Sequence, residues 1–351
     1  MNQENLRQRT VYFDWLRCAA TFFVILLHVS ASRFGDVSVV SLEWKMFNLY
    51  DGVSRWSVAV FVMLSGALFL NKAPDLKKLY GKYMLRIGVA FVAWSAFYVL
   101  YERLIQGKSM TTDVVLSHLI SGHYHMWYLP MLLGLYAMVP LLKPLTKSKE
   151  LTAYFLLVSF VLTILLPTLV HILRYTYPSV VPALDSGKSS FALSFGYLFY
   201  FVLGYWLAQQ DANRLRWPIY ILGLLGFAST VILTDILSVR QGQLVTSFYS
   251  YFAMNVMLEA MFVFRLVRDV AAKLGNIKAF GVVIGGISKY SFGVYLLHPM
   301  VIDLLGRYAG LDVLSFSAVI SVPVLAVAVF AVSFVLSWIL NHIPIVKTYL
   351  V

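Results

Sequence analysis

Charge is what this sequence has least of. Lys, Arg, Asp and Glu together make up 13% of its 351 residues, where a soluble domain carries roughly a quarter. Hydrophobic residues fill 60% of it, and the mean hydropathy is +0.78. A chain so short of charge cannot clothe a water-facing surface. Cysteine is nearly missing too. The single Cys18 excludes an intrachain disulfide and a Cys-rich zinc cluster, and leaves the redox compartment unread. No connector between apolar runs is long enough for a catalytic domain. No internal repeat is visible, although inverted-repeat transporters often leave only a weak trace of theirs.

What the chain does have is a series of apolar runs, each long enough to cross a hydrocarbon core of about 30 Å. They predict an all-α polytopic membrane protein of about ten transmembrane helices, with spans near 11–31, 46–70, 82–102, 125–142, 150–171, 190–209, 216–234, 248–265, 284–306 and 314–340. The first run carries Asp14, Arg17 and His28 and no clear small-x-small cleavage site, so it reads as a retained helix rather than a signal peptide. The net charge of +12 would suit a nucleic-acid partner, but its distribution favours topology. Fifteen Lys and Arg residues lie in the two tails and the connectors 71–81, 143–150, 210–216 and 265–278; eight lie in the alternate set. The positive-inside rule then places both termini in the cytoplasm, and no nucleic acid is expected.

A charged side chain at membrane depth costs several kcal/mol, so it usually faces a protein interior or wet cavity. In the first helix Arg17 and His28 are eleven residues apart, which is three turns plus about 20°: one face, with about 16 Å along the axis between them. Asp14 is placed to pair with Arg17. By position alone Arg17 also suits a snorkelling anchor, and His28 a core imidazole bonded to a carbonyl. The ninth span has a polar stripe of Ser288, Ser291, Tyr295 and His298 on one helical face, which also suits inter-helix hydrogen bonding. Pro299 follows and should loosen local backbone pairing. In the eighth span Asn255 and Glu259 are one turn apart, and a buried Glu259 needs a partner, for which Arg17 is the expectation. The fourth span opens on His125, Trp127 and Tyr128, where aromatic residues also form interfacial belts; His123 reads as loop. Lys77, Lys78, Lys82 and Arg86 suit either positive-inside bias or a phosphate site. Cations and carboxylates thus gather on the cytoplasmic half, and His28, His125 and His298 on the outer half. Such a path suits a charged donor taken from the cytoplasm and an acceptor served nearer the outer face.

These residues resemble the signature of the acyltransferase-3 family of membrane acyltransferases. Asp14-Trp15-Leu16-Arg17, ten residues and then His28 look like its Arg-X10-His motif. Phe61-Val62-Met63-Leu64-Ser65-Gly66, preceded by Arg55, is similar to its Phe-Phe-x-x-Ser-Gly segment. His125-Met126-Trp127-Tyr128 and Tyr295-Leu296-Leu297-His298-Pro299 follow in family order. The length looks most like the stand-alone branch that O-acetylates surface polysaccharides. The resemblance implies one transmembrane acyltransferase domain over residues 1–351, in a bacterial inner membrane. It implies an acyl-CoA donor, usually acetyl-CoA, as co-substrate, with no tightly bound cofactor and no metal. The acceptor would be a hydroxyl of an envelope glycan or lipid-linked saccharide. Two departures stand out. No hydrolase-like domain is fused here, so a second transfer step would need a partner, and Lys82 stands where arginine is common.

On this reading His28 acts as general base on the acceptor hydroxyl or is transiently acylated, for which imidazole chemistry is suited. Arg17 binds the donor or stabilises developing negative charge, oriented by Asp14. Lys78, Lys82 and Arg86 meet the donor phosphates. His125, Trp127, Tyr295 and His298 line the acceptor side, with Glu259, Asn255, Arg55 and Ser65 as further candidates. Intramembrane Arg, Glu and His equally mark transport paths, so a transporter or flippase for a glycan precursor is the first alternative. A non-catalytic envelope subunit, dependent on packing glycines such as Gly204 but not on His28, is the second.

Overall fold

The computed structural model describes residues 3–71, 75–176, 196–210, 215–274 and 278–351. The start of the span expected at 190–209, and Lys72, Lys188 and Arg214 of the connectors, lie outside the described residues. Among those described there is no strand, and eight helical segments are long and apolar enough to cross a membrane. The protein is an all-α polytopic membrane protein.

In chain order, α1 covers Gln3–Ala31, α2 Leu42–Gly52 and α3 Trp56–Phe69. A helical turn at Leu76–Lys78 widens into a π turn at Leu79–Met84 and continues as α4, Leu85–Leu104. Then come α5 (Thr112–Ser121), α6 (Tyr128–Leu142), α7 (Lys149–Phe160), α8 (Leu166–Thr176) and α9 over 196–209. The last five are α10 (Arg216–Gln241), α11 (Met254–Leu274), α12 (Lys278–Ala309), α13 (Ala318–Leu340) and α14 (Pro344–Tyr349). Local chemistry sets several ends. The Ser41 and Ser148 hydroxyls accept from the Trp44 and Leu151 amides, capping α2 and α7. Gly122, at φ +76°, closes α5 in a conformation that a side chain disfavours.

Helix α1 lies at the centre, against α2, α3, α11, α12 and α13. Leu16, Ala20 and Ile25 are fully buried in these interfaces. Apolar side chains such as Val92, Leu225 and Val327 are exposed on the outer helices, as a hydrocarbon solvent allows.

Two expected boundaries are corrected. The span read as continuous over 46–70 is bent at 53–55 between α2 and α3. At the bend Arg55 donates to Asp51, whose side chain is wholly buried, and covers the Tyr249 ring at 4.1 Å. The pair has the i,i+4 spacing of one helical face, and it gives the buried carboxylate its partner across the turn. The fourth span starts at Tyr128 rather than at His125. The residues before it form tight turns, with the Met126 amide bonded to the His123 carbonyl at 2.7 Å.

One helix crossing depends on two glycines. A Cβ on Gly66 of α3 would stand 1.7 Å from the Phe201 carbonyl oxygen, and one on Gly204 of α9 would stand 2.0 Å from that of Met63. Both obstacles are backbone, so a side-chain shift cannot relieve them. Gly204→Ala should therefore cost at or beyond the upper end of the ~1–3 kcal/mol usual for overpacking. Thermal unfolding of the detergent-solubilised protein measures it, with Gly134→Ala, which meets nothing within 4 Å, as the tolerated control.

Candidate active site

The polar residues of α1 are answered chiefly by α12. Arg17 Nη1 donates to Asp14 Oδ1 at 3.0 Å and to Ser288 Oγ at 2.7 Å, and Ser288 Oγ donates to the same Asp14 oxygen at 2.6 Å. The closed triangle holds the guanidinium at a fixed point on the α1 face. Three turns further on, His28 Nδ1 lies 3.0 Å from His298 Nε2. His298 is fully buried, and its Nδ1 is 2.6 Å from the Tyr295 carbonyl oxygen.

Two more histidines join this end. The His125 ring is 5.3 Å from that of His298, and His125 Nδ1 is 2.9 Å from His123 Nδ1. His123 stacks on Tyr98 at 4.1 Å with the rings 9° from parallel. Burial pulls the His123 imidazole down to about 4, so it is neutral near pH 7. The Tyr295 hydroxyl donates to the His125 carbonyl at 2.6 Å and pins the turn that carries these rings.

A cavity of about 340 Å³ joins the two ends. Arg17 and Tyr83 stand in its wall, and so do His28, His125 and Tyr251. The wall between is mainly apolar or aromatic, with Phe61, Leu64, Leu68, Leu132, Tyr128 and Tyr136. Ser65 also faces it, beside the Tyr128 and Tyr136 hydroxyls. One cavity thus has a guanidinium on its wall and, about 16 Å along the α1 axis, an imidazole. It suits an elongated ligand with a charged end and a reaction at the imidazole.

A family model described as an acyltransferase domain matches residues 10–342. The chain belongs to the acyltransferase-3 family. No curated protein and no solved structure matches it. As a member of that family it is a membrane acyltransferase, and the four sequence motifs can be placed in its structure. Arg17, His28, Ser65, His125, Trp127 and Tyr295 all line the cavity. Asp14 and His298 each hydrogen-bond a lining residue. Gly66, beside Ser65, gives the close approach of α9 described above.

The other expected site residues lie elsewhere. Lys78 and Lys82 are exposed and do not line the cavity. Arg86 donates to the Val351 main-chain oxygen, its guanidinium 5.7 Å from the ring of Phe292, which is a lining residue. Arg55 belongs to the buried pair with Asp51. The expected partnership of Glu259 with Arg17 is wrong. Glu259 accepts from the Thr230 hydroxyl, which in turn accepts from Asn255 Nδ2 at 2.7 Å, so the two expected polar residues of α11 bind α10 together. Sequence reasoning missed Tyr83, Tyr136 and Tyr251 as lining residues and gave His123 no role. An aromatic wall has no spacing that separates it from an ordinary core.

Asp14 and Ser288 hold Arg17 as one unit, so their effects should not add. Asp14→Asn and Ser288→Ala should each slow acyl transfer several-fold. The double variant should fall short of the product of the two, a coupling on the order of 0.5–3 kcal/mol. A double-mutant cycle on the transfer rate measures it; strict additivity would break the triangle into independent contacts.

Proposed function

We propose that this acyltransferase moves an acyl group, most simply acetyl, from cytoplasmic acyl-CoA to a hydroxyl of an envelope glycan or its lipid-linked precursor, at a bacterial inner membrane. The observation that carries the reading is that Arg17 and His28 face one cavity. His28 acts as general base: it takes the proton of the acceptor hydroxyl as that oxygen attacks the thioester carbonyl, and the CoA thiolate leaves. A positioned base contributes about 10²–10⁴-fold to such a step. With about 16 Å of helix between them, Arg17 is too far from His28 to touch an oxyanion forming there, so of its two expected roles donor binding is favoured. Arg86, beside the cavity residue Phe292, is the best placed of the basic residues to meet donor phosphates; Lys78 and Lys82 would act from the surface.

Membranes carrying the protein, incubated with radiolabelled acetyl-CoA, should pass label to the glycan fraction. His28→Ala should abolish this while the protein still inserts and accumulates. Full labelling by that variant, or uptake of label without transfer, would overturn the reading. The orientation, with both termini cytoplasmic, is tested in a Cys18→Ser background. A cysteine introduced at Lys147 should be shielded from an impermeant thiol reagent in intact cells, and one at Arg307 should react.

A further inference from the structure

His298 follows the cavity face of α12 in sequence, yet it is not one of the lining residues. It is fully buried behind His28. The helix continues through Pro299, which has no N–H to give to the carbonyl four residues back. That carbonyl belongs to Tyr295, and it accepts a hydrogen bond from His298 Nδ1 at 2.6 Å instead. A carbonyl oxygen only accepts, so His298 Nδ1 carries the hydrogen, and in the neutral ring Nε2 keeps its lone pair. Nε2 faces His28 Nδ1 at 3.0 Å. The hydrogen of neutral His28 is therefore drawn to Nδ1, and its Nε2 is left bare.

We infer that His298 is a positioning residue: it holds His28 in the tautomer whose unprotonated Nε2 can take a proton from the acceptor hydroxyl, and it steadies the second N–H when that proton arrives. The proton from the hydroxyl ends on His28 Nε2. The charge on the imidazolium is then shared with the lone pair of His298 across the 3.0 Å contact, and His298 keeps its own hydrogen on the Tyr295 carbonyl. The second histidine thus does, with a neutral ring, what an orienting carboxylate does for other catalytic histidines. Loss of the correct tautomer costs on the order of 10⁴ in rate in serine proteases. The inference rests on the reading of His28 as a base.

Membranes with radiolabelled acetyl-CoA give the rate, and protein labelled with ¹⁵N-histidine gives the His28 ring signals, assigned by their loss in His28→Ala. His298→Leu removes the acceptor and should lower the rate at least ~100-fold, with the KM for acetyl-CoA changed less than twofold. Its His28 signals should show a mixture of tautomers. His298→Gln supplies a carbonyl oxygen as acceptor and should stay within tenfold of the wild-type rate, with the Nδ1–H form retained. A wild-type rate in His298→Leu would overturn the inference and leave the Val24 carbonyl, which also lies beside the His28 ring, as a sufficient orienter. Equal loss in both variants with unchanged His28 ring signals would also overturn it, as a packing effect. Activity in His28→Ala would instead remove the general-base reading itself, which separates the two failures.

Discussion

A cation or an imidazole held among apolar helices has to be answered from within the protein, because the hydrocarbon offers no partner. Helix α1 raises that demand twice, at Arg17 and at His28, and α12 meets it twice, at Ser288 and His298. The two contacts are eleven residues apart on α1 and ten apart on α12, in the same sense, so the two helices run parallel. Parallel neighbours must be joined through an odd number of intervening spans, and the sequence reading places them first and ninth. The polar contacts therefore fix the register of two helices that are remote in the chain, and the remaining helices pack around that register.

The walls of the cavity follow from a second constraint, the crossing of α3 and α9. Gly66 and Gly204 bring the backbones of these helices together. Close packing on that side of α3 leaves Ser65, the residue before Gly66, facing the cavity with Phe61 one turn earlier. A motif that reads as chemistry in the sequence is half packing in the structure: the serine faces the cavity and the glycine faces the neighbouring helix. The same division separates Pro299 from His298. The proline has no N–H to offer there, and so leaves the Tyr295 carbonyl for the histidine beside it.

Much of this was legible because hydrophobicity has a period and a length. The apolar runs marked the helices, and the spacings of Arg17 to His28 and of Ser288 to His298 put each set on a single face. What could not be read was the choice of partner. For Arg17 two partners are expected from the sequence, Asp14 by its spacing and Glu259 by its own need for one. The structure gives it Asp14 and Ser288 and gives Glu259 to Thr230, because partner choice depends on helix order around the bundle, which periodicity does not encode. The bend at 53–55 escaped for a related reason. The turn sits inside an apolar run whose composition allows a straight helix. The aromatic wall escaped because Tyr83, Tyr136 and Tyr251 share no element and no spacing.

The cavity's apolar wall bears on the chemistry as much as its two polar ends do. A thioester is open to hydrolysis wherever a base and water meet it, and excluding water protects a reactive group while strengthening the electrostatics around it. Here the exposure is graded. Arg17 and Asp14 keep about a third of their side-chain surface open, while His298 behind His28 is fully buried. On the proposed reading, a donor with a polar, phosphate-bearing end and a slender reactive arm would enter with its charge at the Arg17 end and its thioester toward His28. In that proposal the length of the arm would match three turns of α1. That is why eleven residues matter: nine would turn the imidazole about 180° from the Arg17 face, whereas eleven return it to within about 20°.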